Sequence, residues 1–329
     1  MTNVDDDFQN MINSYEEEKA KAESKKSEQK PAQSDKIVKV KFEAENFAVN
    51  QYGKPKVNSL KNIRIAIEND NILKNQFVFN SFTQEIEIRT PFKLKGVEIE
   101  NDGLKEVYIT AILEHFEEKY DVLFDSRLLV NVINKIAYEN KYNPVQDFME
   151  DCYKNWDKVK RARSLFPDYL GAKESDLTER MTKLFFVGAV SKVYHPYDKF
   201  DFVLDLVGGQ GSGKTTFLTK MGQGWYTDSM KNFDDKDQLV MMLRALIVND
   251  DEMAISNKIP FADLKKFITQ TVLSFRAPYG TKVENYAKNF VIARTTNHEE
   301  YQKDRTGARR FLPVHCSKEL QKYHPVSDL

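Results

Sequence analysis

One octapeptide restricts this chain more than any other stretch: Gly208-Gly209-Gln210-Gly211-Ser212-Gly213-Lys214-Thr215, a complete match to G-x-x-x-x-G-K-[ST]. The pattern carries a mechanism only between a strand and a helix, and both flanks are present. Phe202-Val203-Leu204-Asp205-Leu206-Val207 is a largely apolar run of strand length, and Lys214 to Met221 reads as a helix stopped by Gly222. Glycines let the backbone wrap a phosphate with its N–H groups turned inward, and the helix N-terminus adds a favourable dipole. Gly208, Gly209, Gln210, Gly211, Ser212, Gly213, Lys214, Thr215 and Thr216 are therefore the expected nucleotide-binding residues, with ATP and Mg²⁺ as the expected ligands. Lys214 is expected to meet the β- and γ-phosphates and Thr215 to place its hydroxyl on Mg²⁺, with Thr216 assisting at the helix start.

Such a loop needs a carboxylate at the end of a neighbouring strand. Ala245-Leu246-Ile247-Val248 runs into Asn249-Asp250-Asp251-Glu252, so Thr215, Asp250 and Asp251 are candidate metal residues. Asp251 and Glu252 are the first choices for metal ligand and water-activating base, with the division between them open. A third strand, Phe290-Val291-Ile292-Ala293, leads to Asn297, whose amide can hydrogen-bond an attacking water or a phosphate. After it, Asp304-Arg305-Thr306-Gly307-Ala308-Arg309-Arg310-Phe311 turns on a glycine and presents arginines. Arg309 and Arg310 are candidates for stabilising charge on a transferring phosphoryl group, whereas Arg305 is equally well read as a surface ion pair. Strands alternating with helices predict an α/β domain with a mainly parallel sheet.

Composition sets the frame. With 329 residues, 41% hydrophobic and 30% charged, the chain can hold two folded units and a tail. The expected division is a disordered charged tail at 1–36, a mostly helical domain at 37–172 and a P-loop ATPase domain at 173–329. The tail is dense in Glu, Lys, Asp, Ser and Gln and cannot bury enough apolar surface to offset ordering entropy. In the middle region, Leu60, Ile63 and Ile67, then Ile109, Ile112 and Phe116, then Leu129, Val132, Ile133 and Ile136 recur at helical spacing, with strands read at 76–79 and 85–88. Lys154, Lys158, Lys160, Arg161 and Arg163 surround Trp156 and read first as a solvated face. No apolar run reaches the roughly 18 residues that span a bilayer, and the N-terminus lacks signal-peptide character, so a cytoplasmic protein with no membrane partner is expected. Cys152 and Cys316 read as reduced thiols. A formal net charge of −1 gives no global attraction to nucleic acid, so any such contact must be local.

The order of these motifs, with Phe275-Arg276-Ala277-Pro278-Tyr279-Gly280 between the acidic and Asn-tipped strands, resembles the virulence-associated protein E family. These are P-loop ATPases of phages and mobile genetic elements, similar to superfamily-three helicases. The likeness covers most of Val38 to Val314. It implies an AAA+-like core behind a helical region, single-stranded or forked DNA as partner, a homo-oligomeric ring of which a hexamer is one form, and replication proteins met through the N-terminal tail. It also implies that a hairpin between those strands carries basic residues toward DNA, here Arg276, Tyr279, Lys282 and Lys288. Two departures stand out: the family often has an acidic residue at Asn249, and the sequence stops at Leu329, so a C-terminal domain is expected to be missing or supplied by another protein. A primase domain stands ahead of this region in several members, and none is expected in this chain. The expected function is an ATP-hydrolysing, helicase-like motor or remodelling ATPase acting on DNA. An ATP-switched assembly protein without helicase activity and a P-loop small-molecule kinase are the alternatives. A GTPase would need Asn-Lys-x-Asp, and Asn257-Lys258-Ile259-Pro260 lacks that Asp. The Ser-Gly-Gly signature of an ABC-type ATPase does not follow the loop.

Overall fold

A computed structural model describes residues 46–276, 282–299, 309–324 and 326. The expected tail at 1–36, and the candidate residues Tyr279 and Arg305, lie outside the described residues. The chain forms two compact units that divide between Pro144 and Val145.

The first unit contains α1 (Leu60–Glu68), β1 (Phe77–Asn80), β2 (Glu85–Ile88), β3 (Phe92–Leu94), β4 (Val97–Ile99), α2 (Glu106–Tyr120), α3 (Ser126–Glu139) and β5 (Lys141–Tyr142). Two helices begin where a side chain can accept an orphan backbone N–H. Ser59 accepts from Asn62 and Asp125 from Leu128. Leu129, Val132, Ile133, Ile136 and Ala137 bury one stripe of α3 in a core shared with Ile63, Ile67, Phe77 and Phe116. β1 pairs antiparallel with β2 and parallel with β5. β3 and β4 form a further hairpin, turned by Lys95 and Gly96 at φ of 48° and 80°.

The second unit opens with α4 (Pro144–Lys154), α5 (Leu165–Leu170) and α6 (Asp176–Tyr194), followed by β6 (Val203–Val207), α7 (Lys214–Met221), β7 (Tyr226–Thr227), α8 (Lys236–Leu243) and β8 (Ile247–Asp250). After β8 come α9 (Phe261–Thr269), β9 (Val272–Phe275), β10 (Glu284–Ala287), β11 (Val291–Thr296) and β12 (Phe311–His315). The division precedes the boundary expected at 172 because the early helices pack on this unit. Gln146 Nε2 donates to Val193 O at 3.1 Å, and the Phe166 ring lies 5.7 Å from that of Phe217 on α7.

Five strands form one parallel sheet in the order β12-β6-β11-β8-β7. β6 and β11 are buried along their whole lengths, as strands covered on both faces must be. Val203, Val248, Ile292 and Phe311 pack with Leu264, Phe267 and Ile268 of α9. Asp205, the one charge in β6, meets its register partner Arg294 on β11 through two bonds of 2.7 and 2.6 Å, and that guanidinium lies 4.1 Å from the Phe311 ring. Breaking that pair would leave a buried charge uncompensated.

Candidate nucleotide site

At the C-terminal edge of this sheet, the end of β6 passes into the glycine loop and then into α7. Gly208 cannot be replaced without movement, because a Cβ there would lie 2.2 Å from the Cys316 carbonyl oxygen. Gly213 enters α7 at a φ of 75°, a conformation that L side chains avoid. Gly209, Gln210 and Gly211 are exposed, so the loop is open where a phosphate would approach, and Thr216 is exposed on the first turn of α7.

Lys214 is buried and its ammonium folds back over the loop. Nζ donates to Gly208 O at 2.6 Å, Gly209 O at 3.1 Å, Ser212 Oγ at 3.3 Å and Asn297 Oδ1 at 3.0 Å. Burial holds its pKa below the ordinary lysine value, while the Glu252 and Asp251 carboxylates act in the opposite direction.

The acidic strand end delivers two carboxylates with separate surroundings. Asp251 Oδ1 accepts from Thr215 Oγ1 at 3.0 Å, Thr295 Oγ1 at 2.7 Å and Asn249 Nδ2 at 3.4 Å. Glu252 turns the chain through the left-handed region at φ 51° and ψ 22°, a conformation costly for a residue with a side chain. Two contacts hold it there: its N–H donates to Thr295 Oγ1 at 3.0 Å, and its Oε1 accepts from Asn297 Nδ2 at 2.8 Å. Asn297 thus bridges the loop lysine and the Glu252 carboxylate.

Asp250 does not join them. Its buried carboxylate accepts from Ile255 N at 2.9 Å and Ser256 N at 2.8 Å, tying down the turn that carries its neighbours, which removes it from the candidate metal residues. Among the described residues no group of three or more His, Cys, Asp or Glu could hold a metal ion. One carboxylate beside a hydroxyl, open to a nucleotide's phosphates, is instead the donor set that suits Mg²⁺, which keeps several waters. Asn249 Oδ1 is buried and has no hydrogen-bond partner among the described residues.

The profile of the virulence-associated protein E-like domain matches residues 149–328. This chain belongs to that family. No curated protein matches it. Among solved structures, it is similar to an A form apo structure of the NrS-1 C terminal region at 13% identity and a TM-score of 0.38, covering 73% of this chain and 57% of that one. A second A form apo structure of the same region gives 14% identity and a TM-score of 0.41, covering 77% of this chain and 60% of that one. The chain therefore spans less than two thirds of either structure.

The basic residues that the family likeness directs toward DNA divide sharply. β9 and β10 pair antiparallel, and Arg276 after β9 and Lys282 before β10 are exposed. Lys288 is corrected: it is 2% exposed, and its Nζ donates to Phe267 O and Ile268 O, both at 3.0 Å, at the last turn of α9. It caps a helix and cannot touch DNA. Burial first, then the Lys192 charge, pulls its pKa from 10.5 down to about 7, with Asp201 opposing. Between those values the unfolded chain binds a proton that the folded chain has released, so this group's contribution to stability rises with pH. Lys288→Met should flatten the rise in melting temperature between about pH 7 and 9 and leave DNA affinity unchanged. Lys282→Ala should do the reverse, leaving melting unchanged and lowering the salt dependence of DNA binding. Thermal melts and salt titrations check both.

The surroundings of Trp156 resolve as a surface cluster. Its indole N–H donates to Val159 O at 3.1 Å, Arg161 pairs with Asp157, and Arg163 pairs with Glu174, Asp176 and Glu179. Cys152 and Cys316 are free thiols, and burial pushes that of Cys316 up to about 12. No helix among the described residues is long and apolar enough to cross a membrane. Sequence reasoning missed Thr295 and Tyr226, whose roles depend on which strands pair, and Gln321, whose Nε2 braces the loop at Ser212 O over 2.6 Å.

Proposed function

We propose that this chain is an ATPase with an AAA+-like core, which hydrolyses Mg²⁺·ATP and acts on DNA as a helicase-like motor or remodelling protein in the replication of a phage or genomic island. The observation that carries this reading is the convergence of three strand tips: Lys214 on Asn297, Asn297 on Glu252, and Thr215 on Asp251. The strand order supports it, because β11 lies between β6 and β8 and so sets a polar amide between the loop lysine and the acid.

Each side chain has a distinct task. Lys214 exchanges the carbonyls of Gly208 and Gly209 for phosphate oxygens. Thr215 donates its proton to Asp251 and keeps oxygen lone pairs for the metal, which when bound offsets charge on the phosphates. Glu252, oriented by Asn297, accepts a proton from the attacking water. Exposed Arg276 and Lys282 meet the DNA backbone, and repetition around a ring makes a positive channel from a nearly neutral chain.

Hydrolysis measured with and without single-stranded DNA, across protein concentration, tests the whole reading. The expected result is stimulation by DNA and a specific activity that rises with concentration. A rate indifferent to DNA would favour an ATP-switched assembly protein, and absent hydrolysis with phosphate transfer to a small molecule would favour a kinase.

A further inference from the structure

The three donors to Asp251 all converge on one oxygen, Oδ1. A carboxylate gripped on one oxygen has its other oxygen aimed by that grip. Two of the donors, Thr215 and Thr295, belong to the loop helix and to β11. The third, Asn249, is fully buried and is itself held from behind: its Nδ2 also donates to Tyr226 OH at 3.0 Å. Turning the amide over would set its oxygen against Asp251, so the observed orientation is the one electrostatics favours.

Tyr226 sits on β7, the edge strand beside β8, and its phenol donates to Asp228 Oδ2 at 3.1 Å. On the neighbouring helix, Thr219 Oγ1 donates to Thr215 O at 2.9 Å. A chain of contacts results, running from Thr215 to Asp251, Asn249 and Tyr226. Every member lies on α7, β7, β8 or the turn directly after β8. Such a chain fixes the acid relative to the loop hydroxyl before any ligand arrives.

We infer that Tyr226, acting through Asn249, is a positioning residue that orients the Asp251 carboxylate for the cation of a bound Mg²⁺·nucleotide. This rests on the reading of the site as a nucleotide site. Metal sites lose about 10- to 100-fold in affinity or activity when the partner that orients a ligand is removed.

The test measures binding of a fluorescent, non-hydrolysable ATP analogue to the full chain, with Mg²⁺ titrated from zero. Tyr226→Phe removes one oxygen and should raise the half-saturating Mg²⁺ about tenfold or more, while binding without metal and the melting temperature stay near those of the unmodified chain. Asn249→Ala should show a similar displacement, and adding Tyr226→Phe to it should move the metal requirement no further, since both act along one path. A Tyr226→Phe chain with an unchanged Mg²⁺ requirement, or one that loses metal-free binding to the same degree, overturns the inference alone. An unmodified chain that binds the analogue neither with nor without Mg²⁺ overturns the nucleotide-site reading as well.

Discussion

Chains carrying Arg309→Ala or Arg310→Ala should lose ATP turnover by about 10³- to 10⁵-fold, and mixing either with a Lys214→Ala chain should restore part of it. The reason is where the arginines stand. They directly precede β12, which runs parallel to β6 with Phe311 opposite Val203, so they lie at the N-terminal edge of the sheet. The glycine loop leaves the opposite edge, after Val207. A strand rises about 3.3 Å per residue, which separates the two by roughly 16 Å along β6. Under the proposed function, arginines at that edge are placed to complete the site of a second copy rather than that of their own loop. Arg309 is exposed, and among the described residues the buried Nε of Arg310 has no hydrogen-bond partner. Among the described residues neither forms an ion pair. In the mixture, the Lys214→Ala chain lends its arginines to a partner whose loop is intact, and recovered hydrolysis should rise with total protein. Full activity of both arginine variants, or a specific activity independent of dilution, would rule out a shared site.

Where chemistry is local, the sequence was a good guide. The octapeptide places a loop between β6 and α7, and α7 runs from Lys214 to Met221 as the helix signals imply. The strand read at 85–88 is β2, and the apolar runs at 245–248 and 290–293 correspond to β8 and β11. What escaped depends on residues far apart in the chain. Nothing around Lys288 announces that α9 lays two carbonyls against it, so a buried cap looked like a surface charge. Asp250 and Asp251 are adjacent acids, and only the pleat of β8 and the turn after it send one toward Ile255 and the other toward Thr215. β12 contains Pro313, which argues against a strand in sequence, and an edge position next to β6 explains its tolerance. β7 has two residues, too few for any periodicity, yet it carries the tyrosine behind Asn249.

Lys214 serves either a phosphate or the fold, and the two roles predict different behaviour of its variants. In this structure the ammonium is satisfied by two carbonyls, a serine hydroxyl and an amide oxygen, an arrangement that could be purely structural. Its burial and lowered pKa argue otherwise, because a cation kept partly desolvated is poised to gain from an anion. Loss of preorganised charge of this kind costs about 10²- to 10³-fold in turnover. The decisive measurement is phosphate release from ATP with Mg²⁺ by the unmodified chain and by Lys214→Ala, with melting temperatures recorded for both. We predict hydrolysis by the first, a loss of at least about 10²-fold in the second, and melting temperatures that agree closely. Equal rates from the two chains, or a Lys214→Ala chain that loses activity only because it unfolds, would contradict a phosphate-binding role for Lys214.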